Sequence, residues 1–137
     1  MALIPKKFKF KKYTKGKIKN VEKNKKIHFG DFGIKALESG RLTPKQIEAA
    51  RKVMKKILKP FNGIVRRKIR AILPVTSKPI GVRMGRGKGK IAFSISPVKK
   101  GLILFEIYCL NSEKVIEASR QAAFKLPVKT QLIKKHR

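Results

Sequence analysis

The chain has 137 residues, 37 of them Lys or Arg against only seven Asp or Glu, and a formal net charge of +30 at pH 7. This length suits one domain with a modest core and excludes a large enzyme of several layers. The charge strains a compact state by self-repulsion, so a polyanion is the expected partner: nucleic acid first, an anionic membrane surface second.

Residues 1–26 carry eleven lysines, with Phe8, Phe10 and Tyr13 interleaved among them. Such density opposes collapse without counter-charge. The segment is either a solvated tail or an arm that orders on RNA, with lysines on phosphates and rings on bases or on the protein body. The scarcity of balancing acid favours the arm, with Lys6, Lys7, Lys9, Lys11, Lys12 and Lys15 as its phosphate-binding residues. Residues 27–137 are expected to form the folded domain. Its opening, "IHFGDFGIKAL" (residues 27–37), alternates apolar and polar positions around Gly30 and Gly33. It reads as a short strand or two with a bulge or turn.

"TPKQIEAARKVMKKILKP" (residues 43–60) is the clearest helix. Thr43 can cap it, Pro44 suits its first position, Gln46 completes a capping box and Pro60 stops it. On a helical wheel Ile47, Ala50, Val53, Met54, Ile57 and Leu58 fill one arc. Lys45, Arg51, Lys52, Lys55, Lys56 and Lys59 fill the opposite one, and Glu48 is the only acid. A solvated helix usually mixes signs for i, i+4 support. This face repels itself, which favours contact with nucleic acid, and Arg41 just upstream joins the same set.

"GIVRRKIRAIL" (residues 63–73) places Val65, Ile69, Ala71 and Leu73 in one register and Arg66, Lys68 and Arg70 in the other. It reads as a half-buried strand with a basic outer face. "KPIGVRM" (residues 78–84) and "IAFSIS" (residues 91–96) are expected strands flanking a glycine-rich turn. "LILFEIYCL" (residues 102–110) is another strand, entered through a hairpin-like turn at "PVKKG". "SEKVIEASRQAAFKL" (residues 112–126) is a second helix, with Ser112 as cap and Pro127 beyond its end. Its inner arc holds Val115, Ala118, Ala122, Ala123 and Leu126. Its outer arc mixes Glu113, Glu117, Arg120 and Lys125, a balance that marks it as structural. "VKTQLI" (residues 128–133) closes the chain as a strand. The pattern is a single α+β domain with two helices packed on a mainly antiparallel sheet.

The turn "RMGRGKGK", Arg83, Met84, Gly85, Arg86, Gly87, Lys88, Gly89 and Lys90, invites a phosphate-binding reading. A P-loop fails twice: Val82 stands where the first Gly belongs, and Gly89 follows Gly87-Lys88 where Ser or Thr is needed. A dinucleotide fingerprint opens a helix, whereas a strand is expected here. The seven acids form no spaced pair, and no nucleophile has a base, so no enzyme is expected. The glycines permit close approach to a polyanion and positive φ. Arg83 and Arg86 offer planar forks, and Lys88 and Lys90 point charges. The alternative is a mobile basic turn.

Cys109, the single cysteine, can form neither an internal disulfide nor a thiolate cluster, which fits a reducing compartment and a buried apolar thiol. His28 and His136 have no ligand-spaced partners, so neither metal nor cofactor is expected. No apolar run nears the roughly 20 residues of a membrane span; the longest, residues 102–105, has strand length. No membrane partner is expected. The start has neither the apolar stretch of a signal peptide nor the Arg and Ser of a typical transit segment.

The blocks "GRLTPKQIEAARKVMKK", "KPIGVRMGRGKG" and "AAFKLPVKTQ" closely resemble the ribosomal protein L sixteen family of the bacterial-type large subunit, collinearly over nearly the whole chain. The resemblance implies a hammerhead-like α+β fold, no catalytic activity and binding to large-subunit rRNA beside neighbouring ribosomal proteins, without homo-oligomers. It also implies that the loop from Arg83 to Lys90 projects toward the tRNA cleft near the aminoacyl site and the peptidyl-transferase region. The chain departs from the family in two places: it lacks the strand Trp, and "LPVTSKPI" lacks the usual Pro-Asp-Lys. The resemblance therefore bears more directly on the loop than on the basic strand. A histone-like nucleic-acid-packaging protein is the alternative reading. Lysines outnumber arginines 28 to 9, and there are sixteen isoleucines. This bias fits an AT-rich genome. Together with the altered strand and the unremarkable start, it favours a mitochondrially encoded copy, with a bacterial cytoplasm as the alternative.

Overall fold

A computed structural model describes residues 8–18 and 26–135. Lys6, Lys7 and His136 lie outside the described residues. Strand β1 (Phe32–Ala36) follows Gly30, whose φ of 72° suits glycine. A Cβ at Gly30 would also sit 2.4 Å from the Ile107 carbonyl oxygen, so glycine alone lets the chain pass this close. After the short strand β2 (Gly40–Leu42) comes helix α1 (Pro44–Leu58). Its capping box is formed in both directions: the Gln46 amide donates to Thr43 Oγ1 at 3.4 Å, and the Thr43 amide donates to Gln46 Oε1 at 2.9 Å. A 3-10 turn containing Pro60 (Lys59–Phe61) ends the helix, and the Gly63 amide returns to the Leu58 carbonyl at 2.9 Å.

The rest of the chain supplies β3 (Ile64–Arg67), β4 (Leu73–Ser77), β5 (Lys90–Val98), β6 (Ile103–Tyr108), α2 (Ser112–Ala123) and β7 (Thr130–Lys134). All strand pairs are antiparallel, but they form two sheets rather than one: β3-β6-β1-β7 and β2-β5-β4. Helix α1 packs on α2, β3 and β5. Ile47, Ala50, Met54 and Leu58 of α1 and Val115, Ala118 and Ala122 of α2 enter one core with Phe32, Ile34, Phe105 and Ile107. Each large side chain buried in this way contributes roughly 1.5–3 kcal/mol, which is what holds a self-repelling chain compact. Cys109 is a free, buried thiol in that core.

Several expected elements differ from those observed. Residues 63–73 are not one strand. The ladder on β6 ends where the Lys68 amide donates to the Leu104 carbonyl, and the chain then crosses to the other sheet as β4. The alternation of burial is as expected, with Ile69 and Ala71 buried and Arg66, Lys68 and Arg70 exposed. Period two identifies a face, but not the partner on which it lies. "KPIGVRM" is not a strand either. Pro79 has no amide to donate, Gly81 has φ 85°, and Ile80, Val82 and Met84 find nothing to cover them. The strand before the loop is β4, and β4 and β5 are the arms of a hairpin whose tip is the glycine-rich stretch. The turn at residues 97–101 makes no hairpin, because β5 and β6 belong to different sheets; Gly101, with φ 84°, instead ties back to Ala36 O at 2.8 Å. Asn111, not Ser112, caps α2 by accepting from the Lys114 amide at 3.2 Å, and the helix ends at Ala123 rather than near Leu126.

Candidate nucleic-acid interface

Lys45, Lys52, Lys55 and Lys56 project from the exposed side of α1, opposite Ile47, Ala50 and Met54, and Lys59 is exposed at the start of the 3-10 turn that follows. Arg51 does not join them freely. Its Nη2 donates to Glu48 Oε1 at 2.6 Å and its Nε to Oε2 at 3.1 Å, a two-point clamp one turn along the helix. The clamp holds the Glu48 carboxyl below the usual carboxylate range and raises Arg51. The cations of this face that form no ion pair among the described residues are therefore the lysines. On α2, Lys114 Nζ meets Glu117 at 2.8 Å, so its outer face is charge-paired by contrast.

The hairpin tip is built for backbone exposure. Gly85, Arg86 and Gly87 have φ of 101°, 53° and 81°, three left-handed residues in a row. Glycine adopts this region readily; Arg86 does so at a cost. Lys78 Nζ staples the tip by donating to the Gly85 carbonyl at 2.6 Å. At the root, a Cβ on Gly89 would lie 2.3 Å from the Ser77 carbonyl oxygen, so the two arms meet only because this residue is glycine. Arg83, Met84, Arg86, Lys88 and Lys90 are all exposed. Met84 is 96 % exposed, an apolar side chain with no cover on a cationic tip.

Two of the expected cationic residues bind the arm instead of standing free. Lys88 Nζ donates to the Tyr13 carbonyl at 2.6 Å, and Arg41 Nη2 donates to the carbonyls of Lys15 and Gly16 at 2.6 and 2.5 Å. The described arm residues thereby border a groove of about 720 Å³ with Arg41, Thr43, Lys88, Phe93 and Lys99 along it. Lys15 lines this groove, and Lys9, Lys11 and Lys12 are exposed earlier along the arm, Lys9 over the Phe10 ring at 5.6 Å. On β3, Arg66 lies on the Phe29 ring, 3.8 Å from its centroid. Lys68 is 3.4 Å from Glu106, which is only 1 % exposed, and Arg70 points outward. Sequence reasoning missed Lys78, Lys99 and Phe29. A lysine that staples a loop carries no local signal, and Phe29 is remote in sequence from the arginine it supports.

No group of three His, Cys, Asp or Glu among the described residues is placed to hold a metal ion, and no described helix is long and apolar enough to cross a membrane. The class defined by these features is a strongly basic α+β protein. Its cations are spread over a helix face, a basic strand, an arm and a glycine-rich hairpin, and those of the arm and hairpin meet along one groove with Arg41 and Lys99. The chain belongs to the family described as ribosomal protein L16p/L10e, whose family model matches residues 5–133. Relatives named large ribosomal subunit protein uL16 include that of Kosmotoga olearia, 44 % identical over 98 % of this chain and 95 % of its own. Those of Leptospira biflexa (42 %, 98 % of both chains) and Buchnera aphidicola (41 %, 97 % of both) are similarly matched.

Proposed function

We propose that this protein is a non-catalytic structural constituent of the large ribosomal subunit that binds large-subunit rRNA and contacts neighbouring ribosomal proteins. The observation that carries the reading is membership of the L16p/L10e family along almost the full chain. The net charge of +30, displayed on α1, the arm and the hairpin, is what RNA phosphates would neutralise. In this reading residues 1–26 order on rRNA, the α1 lysines take phosphates, and the hairpin tip from Arg83 to Lys90 reaches toward tRNA at the aminoacyl and peptidyl sites. The protein acts as a single copy within the particle.

The compartment is part of the proposal. The excess of lysine over arginine and the sixteen isoleucines fit an AT-rich genome, an organelle's or an AT-rich bacterium's, and the strand without tryptophan tilts the reading toward a mitochondrial ribosome. The three relatives above are bacterial, and this favours the second reading, a bacterial cytoplasm. Identifying the genome that encodes the chain separates the two. Co-sedimentation tests the function itself. Stable recovery with large subunits after a moderate-salt wash is the expected result; recovery mainly with DNA would replace it with a histone-like packaging role.

A further inference from the structure

Arg66 and Glu106 stand directly opposite each other across the β3–β6 ladder, yet they form no ion pair. Glu106 is buried, and its Oε1 is already occupied by the His28 amide at 3.0 Å and by Lys68 Nζ at 3.4 Å. The Arg66 guanidinium lies instead on the Phe29 ring at 3.8 Å, and Phe29 is braced by Tyr108, 6.5 Å away and tilted by 56°. Among the described residues nothing accepts a hydrogen bond from Arg66. Its side chain is exposed, and beside it Tyr108 and the cross-strand partner Ile64 remain 41 % and 50 % exposed.

We propose that Phe29, Arg66 and Tyr108 form a stacking site for one unpaired nucleobase of RNA. A phosphate binds the edge of a guanidinium and gains nothing from exposed apolar neighbours. A base needs a flat, cationic or aromatic face with apolar surroundings, which is what this corner of the sheet presents. The Phe29 ring, its centroid 3.8 Å from the guanidinium carbon, restricts the Arg66 side chain before any ligand arrives, so less side-chain entropy remains to be lost on binding. A base inside a duplex has both faces covered, so the occupant is a looped-out or single-stranded residue. The inference rests on the RNA-binding reading above and adds a division of labour: α1 and the arm engage phosphates, while this site engages a base.

The chain has no tryptophan and two tyrosines, so Tyr13→Phe leaves Tyr108 as the only tyrosine, the sole emitter under excitation to the red of the phenylalanine band. The full-length Tyr13→Phe protein is titrated with a short oligouridylate, whose bases are unpaired and poorly stacked in solution, and with an abasic oligonucleotide of equal length and charge. The oligouridylate is expected to quench Tyr108; the abasic strand is expected to bind without quenching. Adding Arg66→Lys, which keeps the charge and removes the plane, should weaken oligouridylate binding about tenfold, the lower range for one stacked base, and leave the abasic strand within about twofold. Absent quenching, equal weakening on both strands, or an unaffected Arg66→Lys protein would overturn the site. A large-subunit rRNA fragment is the control. If wild type binds that fragment while the oligouridylate result fails, only the stacking site falls. If wild type does not bind it, the RNA-binding reading falls too.

Discussion

Replacing Lys52, Lys55 and Lys56 together by glutamine should make rRNA binding markedly less salt-dependent while leaving the fold intact. All three are exposed, and none forms an ion pair with the only acid of α1, which Arg51 clamps, although after Arg51 the charge of Lys52 also helps hold the Glu48 carboxyl below its usual range. If each lysine meets one phosphate, at about 0.7–0.9 per contact, the slope of log affinity against log salt becomes shallower by about 2–3. The wild-type advantage should then shrink about 20- to 40-fold between roughly 50 and 200 mM salt. The cost to the fold is smaller. Lys55 and Lys56 sit in the last turn, where a cation offsets the helix dipole by about 0.3–1 kcal/mol each at low salt. Removing the repulsion of Lys52 with Lys55 and Lys56 returns about 0.2–0.5 kcal/mol per pair. The buried Ile47, Ala50, Met54 and Leu58 are untouched. Glutamine is preferred to glutamate because an acid at the helix C-terminus would add a dipole penalty to the binding effect. The assay is a salt titration of binding to a large-subunit rRNA fragment, with urea unfolding as the fold control. Arg120→Gln with Lys125→Gln, on and just beyond α2, is the comparison set. An unchanged slope for the α1 variant, or an equal change from the two sets, would refute the assignment of α1 as the phosphate-facing helix.

The double variant Arg83→Ala, Arg86→Ala should assemble into subunits nearly normally if the α1 lysines and the arm carry the anchoring charge, as proposed. It should bind tRNA about 1–3 kcal/mol more weakly on compositionally complete ribosomes; defective assembly would make the tip an rRNA anchor, and unchanged affinity a solvated turn. Thr43→Ala should lower unfolding free energy by about 1 kcal/mol in urea titration, because one direction of the capping box is lost. Gly89→Ala should cost about 1–3 kcal/mol in thermal unfolding, since the new methyl meets the backbone of Ser77 and Lys78 and not a movable side chain. A shift within error would mean the hairpin root tolerates spreading.

What could be read from the sequence depended on how local the determinant was. Helix α1 was legible because its cap, its proline signals and its apolar spacing all lie within residues 43–60. The second helix was legible too, although "NS" offers two competent caps and the chain uses Asn111. The basic strand was half legible. Period two gives the burial of residues 65–71 correctly, but only tertiary pairing reveals that the chain changes sheets after Arg67. The apolar positions of residues 78–84 imitate a strand, and what defeats the imitation is the lack of any surface to cover them. Among the candidate site residues, exposure of the α1 lysines follows from the wheel. The tie from Lys88 to Tyr13 spans 75 residues, and the stacking of Arg66 on Phe29 depends on β3 arriving beside β6. Counting signs also overstates α1 by one cation, because it takes no account of the geometry that brings Glu48 and Arg51 together.

Strand β1 lies between β6 and β7, the last two strands to be synthesised. During translation Phe32, Ile34 and Ala36 must therefore wait, unpaired on both edges, until Tyr108 and then Lys134 have emerged. The smaller sheet can close once Val98 is available, but the larger one closes only after Lys134 has emerged. Pairings so distant in sequence are slow to form and leave apolar edges open meanwhile. The charge that burdens the finished fold serves this nascent interval: molecules carrying a large like charge repel one another, so the waiting strand is kept from pairing with a second copy before its own partners arrive.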